Sequence, residues 1–419
     1  MQTDLASGVQ LHVMPSEKFK TVTITIKFKE MLKADQITKR TLISNLINTN
    51  SRHYPTQTDF RNTLSELYGA RLSTSVSKKG QYHIVSVGLT VVNDKYLKEE
   101  GILKKAIAFL ENILYYPNVY HGAFHKETFK REIENLRDEY EAIYDDKQDY
   151  STIALNELYF DTEEQRIPSF GREKDLESIT PEGLYKTYEK MLSENEIDIF
   201  VLGDIVEENI IDTFKLFKFN DREIFPQKTF YELKESTEVK RKVEKQDLTQ
   251  ARYNLAFNTN IFYHQNNYYA GQIFNGLFGG YPHSKLFMNV REKESLAYTI
   301  SSGIDTFTGS MFVYSGIDQK EATHVGEIIL KELNALRQGD FNDESVQQTK
   351  ELLKNSLYQS EDSANSMIER AYASKITREP QIRIEEWIKK IESVTKAEIM
   401  DTAKRVQLRA EFLLIGKED

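Results

Sequence analysis

Cysteine is absent from the 419 residues, which excludes disulfides, thiolate zinc sites and cysteine nucleophiles. Tryptophan occurs once, against 23 tyrosines and 23 phenylalanines. That balance points to sheet-rich packing with amphipathic rings near the surfaces. No apolar run approaches the ~18 residues that a membrane-spanning helix needs. The opening stretch MQTDLASGVQ has no basic region followed by an apolar one, so it does not read as a signal peptide, and a cytoplasmic location is expected. Basic residues are outnumbered 55 to 65, for a net charge of −10. A surplus of that sign argues against a nucleic-acid or anionic-membrane partner. Neither a Walker A loop nor a Rossmann glycine fingerprint occurs.

What is present alternates between two periods. In 21–29 (TVTITIKFK) Val22, Ile24, Ile26 and Phe28 fall on one side and Thr and Lys on the other, the pattern of a half-buried strand. Strands are also expected at 9–15, 72–77, 82–92 and 197–203, with Lys78-Lys79-Gly80 turning the middle pair. Helices are expected near 36–47, 57–68, 96–115 and 124–145. The second half repeats the order. Strands are expected at 252–259, 296–302, 309–317 and 411–415. Helices are expected near 266–277 and 283–290 and through much of 321–405.

The repetition is literal in places. Glu177-Ser178-Ile179-Thr180 leads through a helix to Phe200-Val201-Leu202-Gly203, and Glu392-Ser393-Val394-Thr395 leads through a helix to Leu413-Leu414-Ile415-Gly416. Likewise, Ile84-Val85-Ser86-Val87-Gly88 echoes Phe312-Val313-Tyr314-Ser315-Gly316. A period of about half the chain means duplicated domains rather than a solenoid. The expected fold is α+β, two duplicated α/β-sandwich-like halves, each a mixed, mainly antiparallel sheet covered by helices. The boundaries are 1–217, a charged connector at 218–245 that includes Pro226, and 246–419.

The most informative segment runs from Leu286 to Tyr298, LFMNVREKESLAY, after Gly279-Gly280 and Ser284. By residue type alone it is a glycine break, a helix and a strand entry; Arg291 is a surface helix charge and Tyr298 a half-buried strand residue. His121 and His125 have metal-like i, i+4 spacing, with Glu127 nearby. Yet Gly122 and Pro117 suggest a loop, and Glu127 would sit off the shared helical face, so two exposed histidines are the expectation. Asp145-Asp146 and Glu207-Glu208 are paired carboxylates on polar, solvated stretches. His53 and His83 need no special role.

The same segment resembles the C-terminal domain signature of the insulinase/pitrilysin metallopeptidases, especially the mitochondrial-processing-peptidase-like branch with its bacterial members. The shared letters are Gly279, Gly280, Ser284, Leu286, Phe287, Arg291, Glu292, Lys293, Leu296, Ala297 and Tyr298. The two-half length and the duplication extend the resemblance over essentially the whole chain. It implies halves that face each other like a clamshell, with Arg291 and Tyr298 as substrate-binding residues. A guanidinium offers several fixed donors to a peptide carbonyl, and a tyrosine hydroxyl can donate to an oxygen that gains charge.

Active members of that family carry His-x-x-Glu-His on a helix, where two histidines at i and i+4 grip one zinc and the glutamate serves as base. By resemblance the matching helix here holds Thr41, Ser44 and Asn45 at those three positions, and the downstream family glutamate matches Glu139. None of Thr41, Ser44 and Asn45 is a competent ligand or base. With Asn48, they also read as the outward stripe of an amphipathic helix that packs Leu42, Ile43, Leu46 and Ile47 inward. No metal is expected on this chain. The resemblance instead implies zinc in a paralogous partner subunit, with an unfolded peptide as substrate. The alternative is an inactive scaffold or peptide-binding protein, a homodimer or part of another complex. Similar bacterial sequences are associated with modification of a translation elongation factor.

Overall fold

A computed structural model describes residues 2–224 and 228–417; Pro226 of the expected connector lies outside them. In chain order the first half opens with strands β1 (Gln2–Ala6), β2 (Val9–Pro15) and β3 (Thr21–Met31). Helices α1 (Ala34–Ile47) and α2 (Gln57–Glu66), hairpin strands β4 (Arg71–Lys79) and β5 (Tyr82–Val92), and helix α3 (Ile102–Tyr115) follow. A short hairpin, β6 (Val119–Tyr120) and β7 (Ala123–Phe124), leads into α4 (Lys126–Asp145), α5 (Lys147–Tyr159) and the single turn α6 (Glu163–Arg166). Helix α7 (Pro181–Glu194), strand β8 (Glu196–Gly203) and helix α8 (Glu207–Phe214) end this half.

The second half runs β9 (Lys240–Gln246), β10 (Ala251–Asn258), α9 (Tyr268–Asn275), β11 (Ala297–Asp305) and β12 (Ser310–Ile317). Helices α10 (Ala322–Gln338), α11 (Asp343–Ser360), α12 (Ala364–Thr377), α13 (Ile384–Ser393) and α14 (Lys396–Arg405) precede the last strand, β13 (Gln407–Gly416). The fold is α+β, as the two periodicities indicate.

The duplication is topological. One sheet has the order β1-β2-β8-β3-β5-β4 and the other β11-β12-β10-β13-β9. Reversing the second and removing β1 superposes the two plans: β3 matches β10, β8 matches β13 and β2 matches β9. The β2–β8 and β9–β13 pairs are both parallel, while the remaining pairs of the two sheets are antiparallel. The repeated letters mark equivalent helix starts. Thr180 caps α7 by accepting from the Gly183 N–H, and Thr395 caps α14 in a reciprocal capping box with Glu398. Each such cap is worth about 1 kcal/mol.

The chain forms two compact units whose membership does not follow one cut. The first holds the chain to Tyr140, then Pro168–Lys228 and Glu361–Ala373; the second holds Glu141–Ile167, Thr229–Ser360 and the chain from Ser374. Part of the connector is a strand: residues 240–245 lie in β9, parallel to β13 at the sheet edge. Its sequence KRKVEKQ shows no apolar period because most of it is exposed, and lysine-rich edges discourage unwanted pairing.

The exchanged segments explain a second difference from the sequence reading. Strand β3 is buried on both faces: Val22, Ile24, Ile26 and Phe28 on one, and Thr23, Thr25 and Lys27 on the other. In the first unit the second face is covered by residues of α12. Glu369 accepts from the Lys27 ammonium, which lies 4.8 Å from the Tyr372 ring centroid. Burial lowers the Lys27 pKa, with Glu369 opposing that shift. In the second unit α5 plays the same part on β10. Asn254 donates to Ser151 Oγ at 2.8 Å, and the buried Tyr159 hydroxyl donates to the Phe257 carbonyl at 3.0 Å.

Candidate functional site

Helix α1 carries Thr41, Ser44 and Asn45, the residues that the family resemblance equates with zinc ligands and base. It packs between the β4–β5 hairpin on one side and α7 with the turn 173–178 on the other. Thr41 and Ser44 are therefore 5% and 2% exposed, Asn45 is half-buried, and only Asn48 faces solvent. The expected outward stripe is thus corrected: helix cover on the far side of α1 buries two of its four members. Thr41 donates its hydroxyl to the Ile37 carbonyl at 3.2 Å, so its proton is committed to the helix backbone. These hydroxyl and amide groups do not fit a zinc ion that takes imidazole, thiolate or carboxylate ligands. Among the described residues no group of three or more His, Asp and Glu could hold a metal.

Next to them α1 carries a buried cation. Arg40 is 1% exposed and donates to Glu30 at 3.0 Å, Asn195 at 2.6 Å, the Phe28 carbonyl at 2.8 Å and His83 Nδ1 at 3.0 Å. His83 in turn donates from Nε2 to the Ser169 carbonyl at 2.8 Å. Arginine cannot accept, so Nδ1 is the unprotonated nitrogen. Burial, then the Arg40 charge, pushes the His83 pKa down to about 3.

Glu139 lies on the exposed side of α4, and burial, then the charge of Glu132, raises its pKa. Glu132, two turns earlier, is the more enclosed carboxylate at 7% exposure, accepting from Arg131 and Asn135 at 3.1 and 3.3 Å. Sequence reasoning passed over it. The available signal was spacing: Thr128, Glu132, Leu136 and Tyr140 recur every four residues and are the buried stripe of α4. His121 and His125 share no helix. His121 is exposed, with φ +51°, at the β6–β7 turn. His125 is half-buried and bonds through Nδ1 to Thr128 Oγ1 at 3.1 Å.

The second constellation lies wholly in the second unit. Helix α9 runs on into a π-helical turn, Gly276–Gly280, and a second π-helical segment spans Phe287–Lys293; such turns often mark functional sites. The glycine pair permits close packing. A Cβ on Gly279 would lie 2.7 Å from Ser302 Oγ, and one on Gly280 would lie 2.7 Å from Asn275 Nδ2. Leu286 and Val290 are fully buried in the core, which fixes the rotation of the segment and turns Arg291 outward. The Arg291 guanidinium stacks 4.6 Å from the Phe287 ring centroid, and its Nε lies 3.7 Å from Glu292.

Ser295, at φ +54°, then reverses the chain into β11. That strand is the edge of its sheet, and its register slips between Ala297 and Thr299, so Tyr298 sits in a bulge and is 81% exposed. Arg291 and Tyr298 line one open groove of about 880 Å³, with walls from Leu248–Ala251, Ile317–Lys320 and Gly416–Lys417. The structure therefore brings together the two residues singled out from sequence. The wall residues, scattered over three strand ends, gave no local signal.

Residues 178–353 match the family described as the peptidase M16 inactive domain. A Bacillus subtilis protein named probable inactive metalloprotease YmfF is 33% identical over 413 residues, spanning 98% of this chain and 96% of that one. The chain belongs to the M16 peptidase family. Its relatives also include an uncharacterized zinc protease, YmxG, of Bacillus subtilis, 23% identical across 68% of this chain and 70% of its own. The crystal structure of a conserved protein from Enterococcus faecalis V583 is 44% identical, with a TM-score of 0.96 and coverage of 100% of this chain and 99% of that one. Within the M16 family this chain is an inactive peptidase homologue. No helix among its described residues is long and apolar enough to cross a membrane.

Proposed function

We propose that this chain is the non-catalytic subunit of a heterodimeric zinc peptidase, lending Arg291 and Tyr298 to a paralogous subunit that carries His-x-x-Glu-His and the zinc. The observation that carries the reading is the pairing of an outward-facing Arg291 and Tyr298 in one groove with an α1 that holds Thr41, Ser44 and Asn45 where the family resemblance puts ligands and base. The substrate is an unfolded peptide, held by strand addition to a sheet edge; the open edge of β11 beside Tyr298 suits that mode. Arg291 holds a substrate carbonyl, and the Tyr298 hydroxyl donates to the oxygen that gains charge during attack. The two duplicated family domains meet within the 218–245 connector, whose last residues already belong to β9 of the second one, and the complex works in the cytoplasm.

Co-expression with the zinc-bearing paralogue tests this. The pair should cleave peptides while the lone chain does not, and Arg291→Ala should reduce turnover by about 10²–10³-fold with assembly and zinc content unchanged. A lone chain that holds one zinc and cleaves peptides in an EDTA-sensitive way refutes the proposal, as does full activity of Arg291→Ala. A stable homodimer that ignores the paralogue would support the scaffold role instead.

A further inference from the structure

The groove that holds Arg291 and Tyr298 has more positive charge than its own walls neutralise. Lys320, on the turn after β12, and Lys417, just past β13, both line it and both are exposed. Neither ammonium has a carboxylate within ion-pair distance among the described residues. The two acids in the walls, Asp318 and Glu292, offset only part of the charge of Arg291, Lys320 and Lys417. Asp318 Oδ1 accepts from the Lys320 backbone N–H at 3.0 Å as the cap of its turn, and Glu292 sits beside Arg291.

A further cation borders the groove. Arg252 donates through Nη1 to the wall residue Gln250 at 3.0 Å, while its buried Nε has no hydrogen-bond partner. Gly316 leaves room for that guanidinium, since a Cβ there would come within 2.5 Å of Nη1. Four cations thus converge where a chain of net charge −10 would more simply be acidic, and a concave basic surface concentrates anionic ligands.

We propose that the groove prefers extended peptides with acidic side chains, Lys320 and Lys417 pairing the carboxylates and Arg252 reinforcing the field through Gln250. An extended peptide presents residues i and i+2 on one face, so acidic residues at alternate positions both meet the basic wall. This preference rests on the peptide-binding reading of Arg291 and Tyr298, and the experiment separates the two.

Fluorescein-labelled Ala/Ser peptides, identical except for Glu, Gln or Lys at alternate positions, are titrated by anisotropy against the purified full chain. The Glu peptide should bind about threefold to tenfold more tightly than the Gln peptide at low salt, with the difference collapsing at high salt. The Lys320→Gln/Lys417→Gln variant should erase that difference and keep the affinity for the Gln peptide. Arg291→Ala/Tyr298→Ala should weaken all three. Equal binding of Glu and Gln peptides, or a difference that survives the double lysine substitution, overturns the acidic preference. If Arg291→Ala/Tyr298→Ala still weakens the peptides in that case, the peptide-binding reading stands alone. Absence of binding by every peptide overturns both.

Discussion

Lowering the pH from 7 to 5 should destabilise the first unit through one residue, His83. The ring is 1% exposed and held neutral between Arg40 and the Ser169 carbonyl. Its pKa falls from 6.5 to about 3 on folding. Between those values the unfolded chain binds a proton that the folded chain refuses, so stability is present above pH 6.5 and is lost as the pH falls toward 3. At pH 5 the unfolded state gains about 1.5 pH units of protonation free energy, or about 2 kcal/mol. The assay is hydrogen exchange under a urea gradient, read by mass spectrometry on peptides from α1 and β5, for the parent and His83→Gln. Glutamine can accept from Arg40 and donate to Ser169 but does not titrate, so the variant should lose about 2 kcal/mol less between the two pH values. Carboxylates that titrate in the same range contribute equally to both proteins and cancel. Identical pH dependence in parent and variant would refute the assignment.

Two further substitutions test packing. Gly171→Ala should cost about 2–4 kcal/mol, because φ is +91° and the new Cβ would lie 2.4 Å from Thr38 Oγ1 and 2.8 Å from Thr38 Cα. Thermal melting checks it, and a Tm equal to the parent's contradicts the geometry. Lys27→Met should cost about 2 kcal/mol, below the full penalty for breaking a buried pair. Glu369 is 47% exposed and keeps Lys79 at 3.3 Å, and Asp198 keeps His12 at 2.8 Å. Exchange should accelerate in 364–373 before α2, and uniform acceleration would show that Lys27 does not pin that helix.

The sequence carried the strand and helix order well where one face of an element is apolar, as in β3, β5 and α3. It also carried the duplication, because the capping threonines 180 and 395 begin equivalent helices before equivalent strands. Other features left no local trace. β9 is an exposed, charged edge whose strand character comes from pairing with β13, a partner far along the chain. The buried setting of Lys27 is made by Glu369 and Tyr372, again distant in sequence. The π-helical turns at 276–280 and 287–293 and the close packing of Gly279 against Ser302 are encoded by no periodicity. Arg291 and Tyr298 were legible through family resemblance, since residue type alone made them ordinary surface and strand positions. The basic wall of the groove was not, because Arg252, Lys320 and Lys417 meet only after three strand ends converge.

The membership of Glu361–Ala373 in the first unit has a consequence for synthesis. A ribosome delivers the amino-terminal end first, and domains generally fold as they emerge. Here the Lys27 side of β3 must wait until residue 369 has left the exit tunnel. A gene divided at the connector would therefore yield two fragments, each missing a helix that the other encodes, and the first unit of the intact polypeptide should complete its fold only after residues 361–373 have emerged.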